Sequence, residues 1–61
     1  MNTLTITPAE LVGTYRTFGE YGPLYRVEAV VNEAQVRVIV VETGEMLDYP
    51  VDQALNDPEA E

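Results

Sequence analysis

The chain has no cysteine, histidine, lysine, serine or tryptophan. Each absence removes a class of chemistry. Without Cys there are no disulfides, and without Cys and His the usual zinc sites cannot form. Without Ser, His and Cys, the nucleophile–base pairs of Ser-His and Cys-His enzymes have no members. The glycines at 13, 19, 22 and 44 match neither the phosphate-loop nor the dinucleotide-binding spacing. Asp52, Asp57, Glu59 and Glu61 lack the ordered pattern of a calcium loop. No metal and no cofactor is therefore expected.

Positive charge is scarce as well. Three arginines face eleven acids, for a net charge of -8, and no base follows Arg37. Such a chain is repelled by nucleic acid and by anionic membrane surfaces, so neither is an expected partner. The same charge gives solubility, and it speeds the approach of a basic protein. No apolar run approaches the roughly 20 residues that cross a bilayer. The start, MNTLTITPAEL, has neither the basic region nor the apolar run of a signal peptide. With cysteine absent, a cytoplasmic protein is expected.

Sixty-one residues allow one domain, expected over 1–57, with 58–61 as a frayed acidic tail. A chain this short buries only about 60% of the surface its unfolded form exposes. An efficient core, oligomerisation or a bound partner must supply its stability.

What the chain does have is a β pattern. Leu24–Val31 (LYRVEAVV) and Val36–Glu42 (VRVIVVE) alternate and are rich in Val, and Glu45–Pro50 is a weaker third strand. Pairing Val31 with Val36 and Glu42 with Glu45 gives one core face. It comprises Tyr25, Val27, Ala29, Val31, Val36, Val38, Val40, Leu47 and Tyr49. The opposite face carries Arg26, Glu28, Val30, Arg37, Ile39, Val41, Met46 and Asp48, with Arg37 diagonal to Glu28. Four of these are apolar, more than a wet face needs. The N-terminal segment or a second subunit is expected to cover them, and Val30, Ile39, Val41 and Met46 form the candidate dimer face.

Shorter signals flank this meander. Thr3–Ile6 alternates like a short strand, and Thr7-Pro8-Ala9-Glu10 is a capping box with Pro at the first helical position. A helical turn is expected over 8–12, with Leu11 and Val12 as its contacts and Gly13 as its stop. TYRTF reads as another strand. A second turn is expected over 51–55, with Val51 and Leu55 facing inward. Asn56 in the left-handed conformation and Asp57-Pro58 should end it. The expected fold is mainly β: a small antiparallel meander or SH3-like half-barrel with short helical turns near 8–12 and 51–55.

For acid–base catalysis only carboxylates remain. Glu28 and Asp48 would sit roughly 9.6 Å apart across three strands, near the upper end of the roughly 6.5–9.5 Å of inverting glycosidases. A flat sheet face on so small a chain leaves no pocket, and neutralisation by Arg26 and Arg37 is the better reading; no enzyme is expected. The aromatic residues say more. Tyr25 and Tyr49 belong to the core face by parity. Tyr15, Phe18 and Tyr21, among Gly19, Glu20, Gly22 and Pro23, either close one end of the core or face a partner. Tyr15, Phe18, Glu20 and Tyr21 are the candidate partner-binding residues, in a setting similar to the proline-peptide groove of SH3 domains.

From Gly13 to Pro58, with Tyr21-Gly22-Pro23-Leu24-Tyr25, Thr43-Gly44-Glu45 and Tyr49-Pro50 as its marks, the chain resembles short acidic bacterial proteins grouped as domains of unknown function. The resemblance implies a small stand-alone prokaryotic protein and carries no activity. The order of elements is also similar to SH3-like barrels, by fold analogy alone. The expected function is a non-enzymatic module that binds a basic protein, as the inhibitory member of a pair of the antitoxin or anti-defence kind. A homodimeric structural protein and an SH3-like binder of proline-rich peptides are the alternatives.

Overall fold

The Val-rich alternation between Leu24 and Pro50 becomes the centre of the sheet. A computed structural model describes residues 8–60; the expected strand Thr3–Ile6, and Thr7 of the capping box, lie outside them. Pro8–Leu11 is a 3-10 turn. The strands are β1 (Tyr15–Thr17), β2 (Leu24–Asn32), β3 (Gln35–Val40), β4 (Met46–Pro50) and β5 (Glu59–Ala60), with helix α1 (Val51–Asn56) between the last two. All five strands form one antiparallel sheet in the order β4-β3-β2-β1-β5. The first four are a meander. Helix α1 then carries the chain from the β4 edge to the opposite edge, where β5 pairs with β1. The mainly β reading and both helical turns hold. The sheet is open and does not curl into the half-barrel considered from sequence. Glu59 and Ala60, expected in a frayed tail, are paired with Arg16 and Tyr15, and Thr17 N–H donates to Pro58 O at 3.2 Å.

The register departs from the simple pairing. Asn32 meets Gln35 at the turn as expected, but β2 carries irregularities between Val27 and Ala29 and between Val30 and Asn32. Each shifts the ladder by one residue, as an extra residue in one strand does. Val27 therefore meets Val38, Tyr25 meets Val40, and Ala29 meets Arg37. Ala29 and Val31 are exposed and leave the expected core face. Val30 is set opposite the buried Val36 by register but stays exposed. In the next hairpin Val38 meets Leu47 and Val36 meets Tyr49, a slip of two that preserves parity. No Glu42–Glu45 pair forms. Directly opposed like charges destabilise a hairpin, and the turn instead closes with Val40 N–H on Glu45 O at 2.8 Å, with Gly44 at φ 77°.

One layer of side chains fills the inner face: Leu11, Tyr25, Val27, Val36, Val38, Val51 and Ala54, with Phe18, Leu47 and Tyr49 packed against them. In the 3-10 turn Leu11 is inside and Val12 exposed. In α1 the inward pair is Val51 and Ala54, while Leu55 is 39% exposed; three-residue spacing, not four, faces this short helix onto the sheet. Its start is tied to the β2–β3 turn by Val51 N–H on Ala34 O at 2.9 Å. Its end is set by the residue before proline. Asp57 precedes Pro58 and is extended, at φ -74° and ψ 144°, because the proline ring disfavours the helical region there. No described residue other than glycine has positive φ, so the left-handed stop at Asn56 does not occur.

These burials set a stability test. Leu11→Ala should lower the unfolding free energy by about 2–5 kcal/mol, the usual range for a buried leucine. Leu55→Ala should change it by less than about 1 kcal/mol. Urea titration of the two variants would contradict the layer described above if Leu55 proved the costlier.

Candidate interaction surface

The two sides of the sheet differ. Both helical elements lie on the inner side, through Leu11, Val51 and Ala54. On the outer side, register places Tyr15, Arg26, Ile39 and Met46 in one row across β1 to β4. Thr17 and Leu24 begin the next row, and Val41 extends it, its N–H donating to Leu24 O at 3.0 Å. Ala29, Arg37 and Asp48 form a third. Met46 is 53% exposed, and Tyr15 and Val41 are also open to solvent.

Charge on this face cancels locally. Arg26 pairs with Glu28 and lies 6.0 Å from the centre of the Tyr15 ring. Arg37 Nε donates to Asp48 Oδ1 at 3.1 Å. The expected Arg37–Glu28 diagonal gives way to these pairs, because the irregularity after Val27 moves Glu28 off the simple ladder. Two bases and two acids leave the face neutral on a chain that carries -8. Exposed acids flank it instead. Glu20, in the β1–β2 loop, and Glu42 and Glu45, in the β3–β4 loop, lie at one end; Glu33 lies at the other, and Glu59 on β5.

The loop that carries Glu20 and Tyr21 is fastened from below by a buried carboxylate. Asp57 is 8% exposed. Its Oδ1 accepts Gly19 N–H at 3.0 Å, and its Oδ2 accepts Tyr25 OH at 2.8 Å and Tyr49 OH at 2.9 Å. Hydrogen bonds to a charged acceptor are about twice as strong as neutral ones. Around them, Phe18 lies 4.3 Å from the Tyr25 ring and 5.1 Å, edge-on, from the Tyr49 ring. Arg16 Nη1 donates to the carbonyls of Ala54 and Asp57, at 3.1 and 3.3 Å. This cation at the end of α1 satisfies helix-terminal carbonyls that have no partner within the helix. Burial, then the hydrogen bond to Asp57, then its negative charge push the Tyr49 hydroxyl up to about 12. The same causes in the same order raise Tyr25 further still, with Tyr49 adding to the rise and Arg16 opposing it.

The residues singled out from sequence therefore sort differently. Tyr15, Ile39, Val41 and Met46 share the outer face, joining members of the expected partner and dimer sets on one surface. Glu20 and Tyr21 sit in the loop at its upper end. Phe18 is in the core, and Val30 lies opposite Val36. Leu24 and Asp57 were missed. A signal for Asp57 existed: two tyrosines assigned to a core need acceptors for their hydroxyls, and no other acid follows a predicted helix so closely. Residues 3–61 match the model of a family of unknown function (DUF5397). No curated protein matches the chain.

Two outcomes are expected of the network. Asp57→Ala should cost about 2 kcal/mol or more, since it strands buried hydroxyl donors. Tyr25→Phe should then cost less in the Asp57→Ala background than alone, and additive losses in that cycle would show the contacts to be independent. The tyrosines set the alkaline limit. Their folded values lie above the unfolded value of 10.0, so the proton is held more tightly in the folded state. The stabilisation is complete below about pH 10 and is lost as pH rises through about 12. Urea midpoints measured across that interval should fall, and fall less steeply in Tyr49→Phe.

Proposed function

The chain belongs to that family, DUF5397, and we propose that it is a non-enzymatic protein-interaction module whose open sheet face receives a basic protein. One observation carries the reading: the outer face sets exposed apolar side chains around two ion pairs that cancel, with acids at its borders. That arrangement is the anatomy of a protein interface, depleted of unpaired charge in the middle and polar at the rim. A rim of glutamates selects a partner whose own rim carries Lys or Arg, and speeds the encounter. A second copy of the chain would bring acids against acids, which disfavours the homodimeric reading at low salt. An inhibitory partner of a basic protein, in the manner of an antitoxin, fits the same surface.

The test begins with capture of partners by the tagged full-length chain from its source cells. Met46→Asp and Val41→Asp place a charge among the exposed apolar residues of the face, where packing does not hold the fold. Both should keep the unfolding midpoint within a few degrees and weaken the captured complex at least tenfold. Binding to the wild-type chain should also weaken as salt rises. Binding that ignores both substitutions, or tightens with salt, would sink the reading.

A further inference from the structure

Tyr21 is 96% exposed, against 53% for Met46, the next most exposed of the large apolar side chains. An aromatic ring left in water on a flexible loop would need no account. This loop is not flexible in its construction. Phe18 N–H donates to Pro23 O at 3.1 Å across its base, Thr17 Oγ1 donates to Gly19 O at 2.7 Å, and Gly19 N–H is held by Asp57 at 3.0 Å. Phe18 is anchored in the core. A side chain at Gly22 would collide with the Phe18 carbonyl, so the backbone is folded closely on itself. Pro23 fixes its own φ. Tyr21 is thus raised on a preorganised support while contributing almost no burial to the fold.

Resting on the interaction reading above, we infer that Tyr21 is the anchor of that interface. It inserts its ring into an apolar recess of the partner protein whose mouth carries Lys or Arg. With the loop backbone already held, only the side-chain torsions of Tyr21 remain to be ordered on binding, which limits the entropy lost where affinity is usually lost. Tyrosine has few torsions to freeze and is enriched among the residues that dominate binding energy. The charge at the mouth follows from the neighbours. Glu20 precedes Tyr21, and the Val41–Leu24 hydrogen bond holds the β3–β4 loop, with Glu42 and Glu45, at the same end of the sheet. Neither loop contains a base. That end also continues into Leu24 and Val41 of the outer face, so knob and face meet one partner together.

The experiment uses the full chain carrying a photo-cross-linking phenylalanine analogue at position 21, 15 or 52, expressed in the source cells. Position 21 should yield an adduct with a second protein, and position 52, on the outside of α1, should not. With that protein purified, Tyr21→Ala should weaken binding at least tenfold without moving the thermal midpoint, and Tyr21→Phe should weaken it much less. Replacing Glu20, Glu42 and Glu45 by Gln should flatten the salt dependence. An adduct from position 15 alone, with Tyr21→Ala binding as tightly as wild type, would overturn the anchor and leave the sheet-face reading intact. An adduct with a second copy of the chain would overturn the basic partner. No adduct from positions 21 and 15 would remove the interaction reading together with the anchor.

Discussion

The carboxylate of Asp57 holds the molecule together. Among the described residues it is the one acid taken almost fully out of water, and such a charge persists in an apolar interior only where donors surround it. Three converge on it, from the β1–β2 loop, from β2 and from β4. The helix ends where it does because proline follows Asp57, and that extended residue turns the carboxylate toward the tyrosines. Arg16 completes the arrangement from β1 by donating to the carbonyls of Ala54 and Asp57 at the end of the helix. In a chain with a single thin core layer, this polar junction does the work that a second layer or a disulfide does elsewhere.

Because the junction is on the inner side, the outer side is released from structural duty. Its arginines are neutralised by their own neighbours, and its apolar residues pack against nothing the described chain provides. The loop at its upper end takes rigidity from the junction through Gly19, whose N–H is one of the three donors to Asp57. Stability and the proposed recognition surface are thereby placed on opposite sides of one sheet, linked at a single backbone amide.

The period-two pattern made β2, β3 and β4 legible, together with the inward direction of Tyr25 and Tyr49, because parity survives a slip of two residues. It could not reveal the irregularities in β2. An extra residue leaves no compositional mark in a run such as Val-Glu-Ala-Val-Val, yet two of them took Ala29 and Val31 out of the expected core face and set Val30 opposite Val36. β5 was invisible for a different reason. Asp-Pro-Glu-Ala is the composition of a loose end, and only pairing with β1 gives it structure. The outer face was legible as a surplus of apolar residues. Its electrical neutrality was legible too, in two arginines set against two acids, but the pairing was not, since Arg37 meets Asp48 instead of Glu28 only in the true register, which brings Asp48 directly opposite. Asp57 itself is joined to residues 32 and 38 positions away, beyond the reach of any local pattern.

The strand order has one more consequence, for the chain's behaviour in a crowded solution. Val36–Val41, an unbroken apolar run apart from Arg37, has the composition of a segment prone to stack into cross-β fibrils. All of it but Val41 lies in β3, one strand in from the edge, with both of its ladders occupied. At the margins stand a two-residue strand and a five-residue strand bearing Asp48 and ending in Pro50. Short margins, a charge and a proline are the usual guards against edge-to-edge growth. The aggregation-prone run is thereby kept away from the edges at which another sheet could add.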